Sequence, residues 1–175
     1  MYARIEGGDS TEPDCWSWEQ QTANKGLSVW DGVRNHQAQK AMKNMLEGDL
    51  CFFYHTGKLK EVCGIVRVVR EYYPDPTDET GKWGAVDVQE VFPLKKKVTL
   101  AEMKDDDEIS DFMMFRQPRL SVVPVEEKVW TRVLLFAAVC VSAFLGCIIY
   151  IQHTLCYVFL GVEALGGISK PARVW

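Results

Sequence analysis

The chain has 175 residues, 47% of them hydrophobic, with 20 Lys and Arg against 24 Asp and Glu. That length suits one domain with a real core plus extensions. The net charge of −4 excludes a general phosphate-coating binder, which would need a basic face, while leaving room for a local basic groove.

Residues 1–10 read as a flexible or altered lead, polar, containing Gly7-Gly8, and without the apolar run of a secretory signal. Asp14 to Gln21 reads as a short helical turn or loop bearing Trp16 and Trp18. Asp31-Gly32 is a turn signal, and Val33, Ala38, Ala41, Met42 and Met45 then recur at helical spacing. This predicts a helix from about Val33 to Leu46, closed by Glu47-Gly48-Asp49. Three strands follow, Leu50 to His55, Glu61 to Tyr72 and Gly84 to Phe92, each rich in β-branched or aromatic residues and bounded by Gly, Pro or Asp.

Pro74-Asp75-Pro76-Thr77-Asp78 interrupts the chain, so Tyr73 to Trp83 is expected as a long loop of the kind that carries function. Thr99 caps a short helix from Leu100 to Lys104, and Asp105-Asp106-Asp107-Glu108 reads as a solvated acidic run. Arg116-Gln117-Pro118-Arg119 turns the chain, and Leu120 to Val125 makes a last strand. The helix that starts at Glu126 loses its polar face: Val133 to Ile151 holds no charged residue. A stretch of that length spans roughly 28 Å as a helix, near the thickness of a bilayer's hydrocarbon core, which makes it a transmembrane candidate.

Trp30 and Trp83 each stand where a loop meets a regular element, a place suited either to core filling or to stacking on a flat ligand. Two indoles can sandwich a base, and stacking contributes about 1–3 kcal/mol per base with little regard to sequence. Reading of the base edge would then fall to Asn35, which has both donor and acceptor. Arg116 and Arg119 flank a proline turn, spaced either to grip phosphates beside an extruded nucleotide or to bridge surface carboxylates. Lys95-Lys96-Lys97 reads as a solvated strand end. Neither His36 nor His55 adjoins a nucleophile motif, and no Gly-rich phosphate loop or spaced carboxylate pair appears, so catalysis has no positive support. The cysteines at 15, 51, 63, 140, 147 and 156 make no CxxC pair and have no histidine at ligand spacing; neither a metal nor a cofactor is expected, and a reducing compartment fits.

Five motifs in order carry a resemblance: Glu12-Pro13-Asp14-Cys15-Trp16-Ser17-Trp18, Trp30-Asp31-Gly32-Val33-Arg34-Asn35, Gly48-Asp49-Leu50 with Phe53-Tyr54-His55, Val69-Arg70-Glu71-Tyr72-Tyr73-Pro74-Asp75-Pro76-Thr77, and Arg116-Gln117-Pro118-Arg119-Leu120-Ser121-Val122. Together they resemble the EVE domain family of the thymocyte nuclear protein type, within the PUA-like superfamily and similar to YTH domains. The resemblance implies an α+β fold, a PUA-like curved β-barrel with surrounding helices, over residues 11–136. It implies a non-enzymatic, monomeric, nuclear reader of modified nucleobases in DNA or RNA. One flipped or unpaired base would stack between Trp30 and Trp83, with Asn35 on its edge and phosphates at Arg116 and Arg119. Ser17, Tyr54, His55 and Asp75 would line the wall.

The chain departs from the family at both ends. Family members open with a strand reading roughly Trp-Leu-Phe-Lys, replaced here by Ala3-Arg4-Ile5-Glu6-Gly7-Gly8-Asp9-Ser10, so a barrel strand is expected to be missing or replaced, leaving an exposed edge. Residues 137–175 form an apolar tail, either a transmembrane helix or an abnormal extension, and since the membrane candidate overlaps the family's last helix, packing on the barrel and insertion in lipid compete for Val133 to Phe136. Two rival functions stand beside the reader: a membrane-tethered interaction module anchored through residues 133–151, and a nuclease or glycosylase using His55 and Asp75 as acid and base.

Overall fold

The structure is a computed structural model that describes residues 2–6, as backbone, and 17–137. The Glu12 to Trp16 motif and everything beyond Ala137, including most of the membrane candidate, lie outside the described residues. Among the described residues, no helix is long and apolar enough to cross a membrane.

Among the described residues six strands build one sheet in the order β2-β5-β4-β3-β1-β6. They are β1 (Tyr2–Glu6), β2 (Leu27–Trp30), β3 (Leu50–His55), β4 (Glu61–Pro74), β5 (Gly84–Thr99) and β6 (Val122–Pro124). The helices described beside them are α1 (Trp18–Ala23), α2 (His36–Lys43), α3 (Leu100–Lys104), α4 (Met113–Arg116) and α5 (Glu127–Phe136), with a 3₁₀ turn at Asp107–Ile109. β1 runs parallel to β3 and antiparallel to β6; the other neighbours are antiparallel. The strand expected to be missing or replaced is therefore present at Tyr2–Glu6, within the stretch read as a flexible lead, and β3 is not an edge.

Among the described residues the ladder does not close into a barrel, which corrects the expected fold. β2 and β6 remain the edges, and both are short. α2 packs against β6 as well as β4 and β5, so a helix occupies the space a closing ladder would need. The long β4–β5 pair shifts register at four places, and each bulge bends the sheet and increases its twist. That curvature wraps the sheet around the core.

β3 is buried along Cys51 to His55, the pattern of a strand covered on both faces. Side chains alternate across it. On one face Phe52 stacks on Trp130 of α5 with ring centroids 4.0 Å apart, and on the other Phe53 meets Trp18 of α1 edge-on at 5.4 Å. Trp18 also packs against Gly64 of β4, where any Cβ would collide with the indole. α5 begins with Val129, Trp130 and Val133 in the core. Val133 to Phe136, contested between fold and membrane, thus belong to a helix packed on the sheet.

The acidic run also differs from its reading as fully solvated. Asp106 is buried, caps the 3₁₀ turn through the Glu108 N–H, and accepts a 2.6 Å hydrogen bond from Arg132 Nε. That pairing joins the segment before α4 to α5. Of the lysine run, Lys96 and Lys97 pair with Glu102 and Glu61 at 2.6 and 2.8 Å.

Candidate functional site

Some of the expected site residues meet at the first turn of α2. Asn35 has extended backbone and serves as the helix's N-cap: its Oδ1 accepts from the N–H groups of Gln37 at 2.8 Å and Ala38 at 3.1 Å. This cap starts the helix at His36, three residues later than the apolar spacing predicted. Both backbone N–H groups must lie on the carboxamide oxygen, so its nitrogen points away with two donors.

Asn35 and Gln37 line an open groove of about 390 Å³ together with residues 116–120. Arg116 and Arg119 are exposed there, and among the described residues neither pairs with a carboxylate. The Gln37 amide lies 3.8 Å from the Met113 sulfur of α4 at the same place. Asn35 and the turn bearing Arg116 and Arg119, distant in sequence, therefore share one surface.

Trp83 reaches this turn from the loop 75–83. It is partly exposed and packs on His36 with ring centroids 4.8 Å apart and planes tilted by 44°. His36 immediately follows Asn35, so the aromatic pair sits at the same helix start as the amide. Asp78 orders the loop by accepting from the N–H groups of Lys82 and Trp83, each at 2.8 Å, and from Thr80. Those hydrogen bonds outweigh the opposing effect of burial and pull its carboxyl down to about 2.

Trp30 is elsewhere. It is 1% exposed and ends β2 on the inward face of the strand's alternating pattern, so the expected sandwich of Trp30 and Trp83 is not formed. An indole buried this way offers no face to a base. Asp75 is likewise not an open wall. It accepts from the Gly32 N–H at 2.9 Å, from Arg34 at 2.6 Å, and from the Thr77 N–H and hydroxyl at 2.7 and 2.6 Å. Burial alone would raise its pKa, but the Thr77, Arg34 and backbone hydrogen bonds hold the carboxyl well below the usual carboxylate range. Its work is to staple the 75–83 loop to the turn after Trp30.

The remaining wall residues are also engaged in the frame. Ser17 forms a capping box with Gln20 at the start of α1. Tyr54 is buried, which pushes its hydroxyl up to about 12. His55 accepts the Trp18 N–H at Nε2, 3.2 Å away, with Cys63 Sγ at 3.7 Å and Glu61 at 3.9 Å from Nδ1. Burial lowers its pKa, Lys97 adds to that, and Glu61 and Glu19 oppose. His55 and Asp75, the acid and base of the enzyme reading, are thus each committed to a backbone N–H. Among the described residues no cluster could hold a metal ion.

Sequence reasoning missed His36 as the partner of Trp83, Gln37 as a groove residue, and Gln39. The last was open to detection: a polar residue between Ala38 and Met42 sits on the apolar stripe of the helix, where it must find partners.

A family model described as EVE domain matches residues 10–135. Thymocyte nuclear protein 1 of Homo sapiens is 32% identical over 127 residues, covering 59% of this chain and 56% of its own length. The Gallus gallus protein of that name is 34% identical over 124 residues, covering 58% and 51%. The chain thus spans little more than half the length of these curated relatives. Among solved structures, a Rhodopseudomonas palustris protein superposes with a TM-score of 0.70 at 40% identity, over 78% of this chain and 91% of that one. Human THYN1 protein in complex with 5-methylcytosine-containing DNA superposes with a TM-score of 0.70 at 28% identity, over 78% and 96%.

Proposed function

The chain belongs to the EVE domain family, and on that premise we propose that it is a non-enzymatic, monomeric reader of modified nucleobases in DNA or RNA. The observation that carries this reading is the groove that joins Asn35 to Arg116 and Arg119, which have no carboxylate partner among the described residues, with the partly exposed Trp83 packed on the neighbouring His36. One flipped or unpaired base lies on the aromatic surface of Trp83 and His36. The Asn35 amide donates to an acceptor on its edge. Arg116 and Arg119 take the flanking phosphates, as planar forks suited to bidentate oxygen contacts. Trp30 supports the site from the core rather than stacking on the base. The relative crystallised with 5-methylcytosine-containing DNA supports a methylated cytosine as the first ligand to try, and the relatives' name supports a nuclear location.

The test is the affinity of the protein for oligonucleotides identical except for one 5-methylcytosine, in single- and double-stranded form, extended to other modified bases. Tighter binding of one modified oligonucleotide is expected. Equal binding across every pair would sink the reading.

A further inference from the structure

Gln39 is 4% exposed, and all four of its hydrogen-bonding positions are taken. Its Nε2 donates to the carbonyls of Val33 at 2.8 Å and Gly84 at 2.9 Å. Its Oε1 accepts from the Gly84 N–H at 3.0 Å and from the Tyr72 hydroxyl at 2.6 Å. With two donors and two acceptors matched, the orientation of the amide is fixed.

The partners lie on three separate segments: the approach to α2, the end of β4 and the start of β5. Two of the four bonds grip both backbone groups of Gly84, the residue after Trp83. Gly84 is required there because a Cβ would strike the Tyr72 ring. Asp75 and Asp78 hold the Trp83 backbone from the loop side, through Asp75 N–H to Trp83 carbonyl at 3.0 Å and Trp83 N–H to Asp78 at 2.8 Å. Gln39 ties the same stretch to the helix that carries Asn35 and His36.

We propose that Gln39 is the positioning residue of the base-reading site: it fixes Trp83 relative to Asn35 and so governs selectivity for the base without touching it. The inference rests on the reader function above. A base stacked on Trp83 meets the Asn35 amide only if the two supports keep their spacing, and recognition geometry of this kind tolerates about 0.5 Å. Phosphate contacts at Arg116 and Arg119 belong to a different segment and do not pass through Gln39.

Gln39→Met keeps the length of the side chain and removes its hydrogen bonds; Tyr72→Phe removes one bond of the four. Both are compared with the wild-type protein for binding to the matched oligonucleotides with and without 5-methylcytosine. In Gln39→Met, affinity for the unmodified oligonucleotide and its salt dependence are expected to stay near wild type, while preference for the modified base falls by about tenfold, the size of one base-stacking interaction. Tyr72→Phe falls between. A wild-type preference retained in Gln39→Met overturns the positioning role and leaves the reader function standing, whereas a wild-type protein without preference overturns the reader function itself. Where Gln39→Met fails to fold at the assay temperature, Tyr72→Phe decides: an unchanged preference overturns the positioning role.

Discussion

Trp83 keeps part of its indole in solvent with His36 beneath it, while the Trp30 indole is enclosed by the core. Their substitutions should therefore separate. Trp83→Ala is expected to weaken binding of the modified oligonucleotide by about 1–3 kcal/mol, with little change in the thermal midpoint. Trp30→Ala is expected to lower stability by about 3–5 kcal/mol, the range for emptying a large core site. Calorimetry and titration on the two variants check both; a Trp30→Ala protein of normal stability, or a Trp83→Ala protein of normal affinity, contradicts this placement. The sequence put both tryptophans at loop junctions but could not say which way either faced. For Trp30 that depends on the register of β2 with β5, where it sits opposite Val86.

At the scale of elements, local chemistry was legible and long-range pairing was not. α3 was read to the residue because Thr99 and Glu102 cap it reciprocally within one turn, and β3 because its apolar run is continuous. β2 was missed: it has four residues, and Leu27 and Val29 point outward, which hides the usual alternation of apolar and polar. The groove was legible in its parts, Asn35 and the two arginines, because each is a strong hydrogen-bonding group at a turn. Its aromatic wall was not, since the His36–Trp83 contact spans two distant segments. Asn35 also bears on α2 itself. Asn35→Ala should lose about 1 kcal/mol through the missing cap, whereas Asn35→Asp keeps the accepting oxygen and should stay near wild type. Urea midpoints of the two variants test this, and equal losses would show that the cap is not the source.

At the scale of the molecule, His55 couples protonation to folding. Its Nε2 must be unprotonated to accept the Trp18 N–H, and its pKa in the fold lies below the unfolded value, with burial the chief cause. That contribution to stability is fully present above about pH 6.5, the unfolded value, and is lost as pH falls from there through the folded value. Between pH 8 and pH 5 the wild type should lose more stability than His55→Gln; parallel curves would remove His55 from the account. The sheet order carries a consequence for synthesis. Among the described residues β6 has one ladder partner, β1, and β1 lies between β3 and β6. An N-terminal strand is thus the partner of one made about 120 residues later, so the sheet as described cannot be completed until residues 122–124 have left the ribosome. Such distant pairing slows folding, and in that interval β1 offers an open edge that a chaperone, or another nascent chain, could occupy.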